Sequence, residues 1–272
     1  MPEGPEIKIE ADKIARILEG RIVQRVELPY KDLEAYKDAV VGQRVNQVKP
    51  KGKAMLVSFD SNLTLYSHNQ LYGRWHTSRA GTLAKTKRKL RVALHTDAGV
   101  AALYSASDIE ILTDNEVSAH PYLAKLGPDV LDASVTPARI VARLHENAFY
   151  RRKLGNLYLD QSFLAGVGNY LRSEILFNAG LSPHRTAQSL SEEEQQRLAR
   201  ATLTICRRAY KSRGVVNDPA RVKALKNQGL TRSKYRFAVF ARQGQPCYIC
   251  AAKITRLDVA ARRLYQCPQC QK

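Results

Sequence analysis

Four cysteines near the end of the chain have the spacing of a metal site. Cys247 and Cys250 form one Cys-x-x-Cys pair and, after residues 251–266, Cys267 and Cys270 form another. Two such pairs are typical of four thiolates that hold Zn²⁺ in a tetrahedron on the two knuckles of a hairpin. Because four protein ligands leave no position open for a substrate, we predict a single structural zinc ion.

The start of the sequence, MPEGPEI, contains a second group of residues that can do chemistry. If Met1 is removed, Pro2 becomes a secondary amine at the beginning of a helix, close in sequence to Glu3 and Glu6. An α-amino group has a pKa of about 7.7–8.0, and a helix N-terminus lowers it further, so part of the amine is nucleophilic. Such an amine attacks an aldehyde-like carbon to give an iminium ion, with Glu3 as proton donor and acceptor. On these residues alone, ordinary helix initiation is the favoured explanation.

The triplet Gln70-Leu71-Tyr72 is predicted to lie on a loop, since it follows a β-rich run and precedes Gly73. An exposed leucine and tyrosine beside a basic surface can enter a base stack as a wedge. The alternative, core residues at the end of a strand, is equally compatible with the sequence.

The segment Gly166-Val167-Gly168-Asn169 combines a tight turn with the start of a helix. Glycines allow close approach of the backbone to a ligand, and the N–H groups of a helix N-terminus suit a phosphate. Simple packing of two helices explains such a turn at least as well when it is considered by itself.

The net charge indicates the kind of partner. The chain has 44 lysines and arginines against 25 acidic residues, a formal charge of +19, which favours a polyanion and, first among polyanions, a nucleic acid. A membrane is a weaker candidate, because no apolar run approaches the roughly 18 residues needed to span one. The first residues lack the pattern of a targeting peptide, so we expect the protein in the cytosol.

The elements that must position these residues fall into two halves. A length of 272 residues with 44% hydrophobic residues fits two folded domains. Residues 5–20 have the apolar spacing of an amphipathic helix, and short β-rich runs follow, which predict a β-sandwich or barrel. These runs are 22–28, 44–50, 54–59, 63–68, 90–95 and 100–106.

The second half of the sequence is predicted to be helical. Residues 138–148 and 189–210 have helical patterns, and Ser191 with Glu194 forms a capping box for the latter. Between them we predict a helix that begins near Asp160, the glycine turn, and a helix that Asn169 caps.

Taken in order, several segments resemble the formamidopyrimidine-DNA glycosylase and endonuclease VIII family over essentially the whole chain. The segments are MPEGPEI, the turn at residues 51–54, LTLYSHNQLYG, LYSASDIE, LGPDVLD, LDQSFLAGVGNYLRSEIL and the cysteine hairpin. The resemblance implies an α+β protein of two domains: an N-terminal helix plus β-sandwich, and a C-terminal helical helix-two-turn-helix domain with a four-cysteine zinc hairpin. We place the domains at 1–126, 135–235 and 236–272, with a linker at 127–134.

The resemblance also implies roles for single residues. Pro2 corresponds to the nucleophile, Glu3 to the general acid and base, and Glu6 to a supporting carboxylate. Lys53 resembles the family's catalytic, phosphate-contacting lysine.

Other positions resemble the family's DNA contacts. Asn169 and Arg262 match the residues that clamp phosphates beside the lesion, and Arg262 is chosen over Arg263 by its distance in sequence from Cys267. Gln70, Leu71 and Tyr72 match the loop that fills the gap left by a flipped nucleotide.

The implied function is a bifunctional DNA glycosylase and AP lyase of base excision repair. The Gln-Leu-Tyr triplet is of the endonuclease VIII kind, which implies oxidised pyrimidines as substrates. The implied partner is double-stranded DNA that contains oxidised bases or abasic sites. We expect a monomer in the bacterial cytosol, with zinc as its cofactor. The alternatives are a purine-directed 8-oxoguanine glycosylase of the same fold and a non-enzymatic zinc-hairpin protein that binds nucleic acid.

Overall fold

A computed structural model describes residues 2–272, apart from the side chain of Asp32, as two compact units. The first unit contains Pro2 and residues 6–125, and the second contains Glu3–Pro5 and Leu126–Lys272. Met1, whose removal the predicted amine requires, lies outside the described residues. The finer domain boundaries at 126, 134 and 235 stay predictions.

The first unit contains a long helix and two four-stranded antiparallel sheets. In one sheet the strand order is β1-β6-β7-β5, and in the other it is β2-β3-β4-β8. The helices are α1 (Gly4–Leu18), α2 (Lys37–Val40) and α3 (Asp114–Ala119), with 3-10 turns at Lys31–Tyr36 and Leu123–Lys125. The strands are β1 (Arg25–Glu27), β2 (Val45–Lys51), β3 (Ala54–Phe59), β4 (Leu63–His68), β5 (Arg74–Ser78), β6 (Leu90–Thr96), β7 (Gly99–Tyr104) and β8 (Asp108–Thr113).

The core of this unit forms where α1 and both sheets bury their apolar faces. Ile14 and Leu18 of α1 are fully buried in one cluster with Val57 of one sheet and Leu103 of the other. The predicted helix and β-sandwich are therefore confirmed. Strands β5 and β8 were not predicted, and β5 buries only Trp75 among its five residues, so its pattern is weak.

A partly buried carboxyl group, that of Glu10, lies on α1. Burial raises the pKa of Glu10 to about 7, while a hydrogen bond from Asn69 and the charges of Arg74 and Lys13 act in the opposite direction. The Nδ2 group of Asn69 donates to Oε2 of Glu10 at 2.8 Å. Glu10 therefore changes its protonation near neutral pH, well above the ordinary carboxyl value of 4.5.

We predict that Glu10→Gln stabilises the protein in a pH-dependent way. The folded state binds the Glu10 proton more tightly than the unfolded chain, so the stability present below pH 4.5 is lost as the pH rises through 7. A glutamine avoids this loss and should raise the free energy of unfolding at pH 8 by about 2–3 kcal/mol, with little effect at pH 4.5. Urea unfolding at both pH values measures the difference. The matched variant Glu34→Gln, at an exposed position, should show no such pH dependence, and equal shifts in both variants would contradict the assignment.

The second unit is helical and ends in a small hairpin. Among the described helices, none is long and apolar enough to cross a membrane. The helices are α4 (Pro137–Leu144), α5 (Leu154–Leu157), α6 (Asn169–Ala179), α7 (Glu192–Lys211), α8 (Pro219–Asn227) and α9 (Arg232–Tyr235), with a 3-10 turn at Ala187–Ser189. Strands β9 (Thr255–Val259) and β10 (Arg262–Gln266) form the antiparallel hairpin.

Two sequence predictions for this unit have clear outcomes. The capping box of α7 is confirmed, because the Ser191 hydroxyl accepts from the Glu194 N–H and the Glu194 carboxylate accepts from the Ser191 N–H. The helix predicted from Asp160 is wrong, and turns occupy its place. The Asp160 carboxylate accepts from the Ser162 N–H at 2.8 Å, and Gln161 bonds to the backbone of Gly166 and Val167, so local side-chain bonds replace the helical ladder.

The tip of the β9–β10 hairpin has an unusual turn. Val259 pairs with Arg262, so Ala260 and Ala261 form a two-residue turn. Both alanines have positive φ angles, 53° and 55°, where glycine and asparagine are normally found. A left-handed conformation costs an alanine about 1–2 kcal/mol, so the turn does not form by its own preference.

Candidate active site

The carboxylate of Glu3 lies at the N-terminus of α6. Oε2 accepts hydrogen bonds from the N–H groups of Gly168 at 2.8 Å and Leu171 at 3.2 Å, and Oε1 accepts from Tyr170 at 2.9 Å. Glu3 is only 5% exposed. The positive end of a helix and its unpaired N–H groups stabilise a negative charge. The structure thus holds this carboxylate firmly in place.

The glycines of the turn before α6 make room for the start of the chain. A Cβ atom on Gly168 would lie 2.4 Å from Cδ of Glu3, and one on Gly4 would lie 2.9 Å from Cα of Gly166. Gly166 has a φ of 96° and its carbonyl accepts from the Gly4 N–H at 2.8 Å. The close approach predicted for a ligand is therefore made by Glu3 and Gly4.

Asn169 is not the cap that the sequence predicts. Gly168 is the N-cap residue of α6, and Asn169 is the first helical residue. The capping acceptor is Glu3, whose carboxylate accepts from the Leu171 N–H, the amide that an Asn169 cap would serve. Within residues 2–272, Oδ1 of Asn169 is buried without a hydrogen-bond partner. Its proposed contact with a DNA phosphate stays a prediction.

Arg172 connects α6 to the hairpin that carries Arg262. Its side chain is fully buried, and it donates to the carbonyls of Gly155 at 2.7 Å, Arg263 at 3.2 Å and Arg262 at 3.4 Å. Burial lowers the pKa of Arg172 to about 10, and the charge of Glu3 raises it. The guanidinium thus holds the backbone at the start of β10, from which the Arg262 side chain extends.

A second buried charge on α6 anchors the segment that leads to the cysteines. The Glu174 carboxylate accepts from the N–H groups of Ala238, Val239 and Phe240 at 2.8–2.9 Å. Burial raises the pKa of Glu174 and these three bonds oppose the rise. Sequence reasoning missed both Arg172 and Glu174, although charged residues inside the apolar stretch NYLRSEIL could have indicated them.

The four cysteines form one cluster, and their sulfur atoms all lie within 4.8 Å of one another. The Sγ atom of Cys250 lies 3.4 Å from the Sγ atoms of both Cys267 and Cys270, and the Sγ atom of Cys247 lies 3.9 Å from that of Cys270. A tetrahedral ion with metal–sulfur bonds of about 2.3 Å requires sulfur separations of about 3.8 Å. The cluster therefore fits a metal ion held by four thiolates.

In the first unit, Lys53 lies on the tight turn between β2 and β3. Lys51 pairs with Ala54 across this turn, and Gly52 has a φ of 60°, the position that a type II′ turn gives to glycine. The Lys53 N–H donates to the Tyr122 hydroxyl at 3.2 Å. Glu6 lies in the first turn of α1.

The triplet at residues 70–72 forms an exposed loop. Leu71 and Tyr72 are 64% and 71% exposed, so they are not core residues at the end of a strand. The Gly73 N–H donates to the Asn69 carbonyl at 2.7 Å and closes the loop. Within the loop, Gln70 accepts from the Ser107 hydroxyl at 3.0 Å. The backbone is thus fixed while two apolar side chains extend into solvent.

His68 joins this loop to the Lys53 turn. Its Nδ1 accepts from the Gln70 N–H at 3.1 Å, and its ring packs edge-on against Tyr122 with centroids 5.3 Å apart. Burial and, to a smaller extent, the charge of Lys53 lower the pKa of His68, while Asp108 raises it. A neutral ring is the form that accepts this hydrogen bond.

Two sequence families match the chain. Residues 1–107 match the Formamidopyrimidine-DNA glycosylase N-terminal domain, and residues 126–218 match the Formamidopyrimidine-DNA glycosylase H2TH domain. Among curated proteins, Endonuclease 8 of Pectobacterium atrosepticum is 45% identical over 271 residues and Endonuclease 8 of Klebsiella pneumoniae is 44% identical over 271 residues. Both alignments cover 100% of each chain.

Solved structures share the fold. A complex of wild-type Lactococcus lactis Fpg (MutM) with DNA containing an oxidised pyrimidine matches with a TM-score of 0.79 and 20% identity over 100% of both chains. A complex of Lactococcus lactis Fpg with abasic-site DNA matches with a TM-score of 0.78 and 20% identity over 99% of both. At this identity the likeness concerns the fold alone.

Proposed function

Since the chain belongs to the formamidopyrimidine-DNA glycosylase and endonuclease VIII family, whose members are DNA glycosylases and AP lyases, we propose that it excises oxidised pyrimidines through an iminium intermediate on Pro2. Family membership sets aside the alternative of a non-enzymatic binding protein. The observation that supports the mechanism is the buried carboxylate of Glu3, the residue next to Pro2 in the chain. Three backbone amides of the α6 N-terminus hold this carboxylate in place.

The chemistry begins with the amine of Pro2. Glu3 accepts the proton that the amine must lose, and the nitrogen lone pair attacks C1′ of the damaged nucleotide. Glu3 then gives a proton to the sugar oxygen as the C1′–O4′ bond breaks. The base leaves with the electrons of its glycosidic bond and takes up the proton that the Pro2 nitrogen still carries. The freed lone pair of that nitrogen then forms the C=N⁺ bond of an iminium ion that links Pro2 to C1′.

The iminium ion explains the lyase activity. Because it withdraws electrons, it acidifies the C2′ proton, whose removal expels the 3′ phosphate in a β-elimination. A second, δ-elimination expels the 5′ phosphate. Water finally hydrolyses the carbon–nitrogen bond and releases Pro2.

We assign the DNA contacts from the same family positions. Lys53, Asn169 and Arg262 bind phosphates beside the lesion, and Leu71 with Tyr72 fills the space of the extruded nucleotide. The high exposure of the two apolar side chains on a closed loop supports this role. Extrusion costs a few kcal/mol and is easiest for a damaged, poorly stacked base, which supplies part of the selectivity.

Borohydride trapping tests the mechanism. Incubation with an abasic duplex and borohydride should give a covalent adduct, and peptide mass spectrometry should locate it on residue 2. Attachment at Lys53 instead would overturn the assignment of the nucleophile. Parallel cleavage of thymine glycol and 8-oxoguanine duplexes tests the substrate class, and a preference for 8-oxoguanine would favour the purine-directed alternative.

We assign the cysteine cluster to one Zn²⁺ ion. Four thiolates without an open position give the ion a structural role, in which it holds the two knuckles and the hairpin together. The sulfur separations support this assignment.

Loss of the metal should loosen the hairpin and weaken DNA binding. We predict that atomic absorption finds one zinc ion per chain and that the Cys250→Ser protein lacks it. The DNA affinity of this variant should fall at least tenfold, about 1.4 kcal/mol of binding free energy, because contacts near Arg262 are lost. The control is Cys206→Ala, because Cys206 is buried on α7 away from the cluster. A Cys250→Ser protein that keeps its metal and its affinity would contradict the assignment.

A further inference from the structure

Residues 219–236, which we call the basic arm, form an exposed and strongly cationic surface. The arm contains α8 and α9, and neither helix has a buried residue. Its sequence, PARVKALKNQGLTRSKYR, contains no aspartate or glutamate. The cations are Arg221, Lys223, Lys226, Arg232, Lys234 and Arg236. A folded surface with this density of one charge sign attracts polyanions.

The arm has a defined shape at its base. The N–H groups of Val216 and Asn217 donate to the carbonyl of Arg236 at 2.9 and 3.2 Å, so the two ends of the arm lie together. The Arg236 guanidinium also lies 5.5 Å from the ring of Tyr170, whose N–H binds the Glu3 carboxylate. The base of the arm, where its two ends meet, therefore lies beside the N-terminus of α6.

A second anchor fixes the arm to the cysteine cluster. Tyr248 lies between Cys247 and Cys250, and its hydroxyl donates to the Lys234 carbonyl at 3.2 Å. The Arg221 guanidinium stacks over the same ring at 4.8 Å. A cationic surface that is attached at two points keeps its charges at fixed positions, which reduces the entropy lost on binding.

We propose that the basic arm is a phosphate-binding surface for duplex DNA, additional to the contacts of Lys53, Asn169 and Arg262. This inference rests on the proposed function, because the arm would bind the duplex that contains the lesion. The partner is the sugar-phosphate backbone rather than bases, since the arm offers six cations, whereas Leu230 is its only exposed large aliphatic side chain and its one aromatic ring, Tyr235, is partly buried with Lys226 Nζ over it at 5.2 Å. An acidic protein segment is the alternative occupant.

The salt dependence of binding tests the proposal. The variant Lys223→Gln/Lys226→Gln/Lys234→Gln removes three exposed charges. Each lost phosphate contact lowers the slope of log K against log salt by roughly 0.9, so the slope should fall by about 2–3. Fluorescence anisotropy with the full-length protein and an undamaged duplex measures this slope.

A matched variant separates the arm from the general charge of the protein. Lys31→Gln/Lys37→Gln/Lys125→Gln removes the same number of exposed charges from the first unit, and its slope should change by less than about 1. Equal slopes in the two variants would overturn the proposal. The proposal would also be overturned if the arm variant kept the wild-type slope with DNA and lost only the binding of an acidic peptide.

Borohydride trapping with the same proteins distinguishes a failure of the proposed iminium mechanism from a failure of the proposed DNA contact by the basic arm. At saturating enzyme and low salt, the arm variant should form the borohydride adduct with the wild-type yield, because the arm is not assigned to the chemical steps. Absence of an adduct in the wild type counts against the iminium mechanism, whereas a wild-type adduct with an unchanged slope in the arm variant counts against the arm alone.

Discussion

Replacing Pro2 with glycine should reduce base excision from a thymine glycol duplex by on the order of 10³-fold or more, because a positioned nucleophile accounts for a large part of such a barrier. Glycine supplies a primary amine on a chain end with greater backbone freedom, and its imine carries a positive charge only when protonated. DNA affinity should stay within about threefold, since the assigned phosphate contacts remain. Single-turnover excision and anisotropy on the same duplex measure both quantities.

A form of the protein that retains Met1 tests the same point without changing Pro2. Acylation of the Pro2 nitrogen by methionine removes its nucleophilic lone pair, so excision and trapping should both disappear. Full activity in a preparation whose mass shows the methionine on every molecule would contradict the iminium mechanism. Equal losses of binding and excision in Pro2→Gly would instead indicate a structural role.

The second large effect is expected for Glu3→Gln, which keeps the size of the side chain but cannot carry a proton between Pro2 and the sugar. Loss of a general acid and base costs about 10²–10⁴-fold in rate. The substitution also turns an amide NH₂ towards the N–H groups of Gly168, Tyr170 or Leu171, so α6 should lose about 1 kcal/mol of capping stability.

The two roles of Glu3 can be measured separately. Excision from a damaged base should fall far more than strand cleavage at a preformed abasic site, where no glycosidic bond remains to be broken. Thermal unfolding reports the lost cap. If Glu3→Gln lowers the melting temperature but excises the base at the wild-type rate, Glu3 is only the cap of α6. Glu3→Asp provides the control, because it keeps the charge and shortens the reach.

Local patterns in the sequence predicted much of this protein. The apolar spacing of α1, the capping box of α7 and the paired cysteines each depend on residues that are neighbours in the chain. Such features form wherever their short segment folds, so the sequence near them is sufficient. The same holds for the exposed loop at residues 70–72, whose position after a β-rich run and before Gly73 indicated a turn.

The environment of Glu3 could not be predicted in this way. Its carboxylate caps a helix whose N-cap residue, Gly168, lies 165 residues further along the chain, and no local pattern encodes that distance. Asn169 looked like a cap because asparagine is a common capping residue, but a carboxylate from elsewhere satisfied the same amides. Arg172 was missed for a related reason. Its partners are backbone carbonyls, which every residue type has, so the sequence does not show which residues provide them.

Because of the alanine pair at the hairpin tip, the position of Arg262 depends on contacts outside the turn itself. Ala260 and Ala261 adopt angles that alanine resists, so the tip depends on its supports: Arg172 donates to the carbonyls of Arg262 and Arg263, and the proposed zinc ion would hold the cysteines on either side of the hairpin. If the cysteine cluster holds zinc as proposed, a molecule without the ion would keep the proposed Pro2 amine but would bind damaged DNA more weakly. Repair capacity would then follow the supply of a trace element, although that element takes no part in breaking a bond.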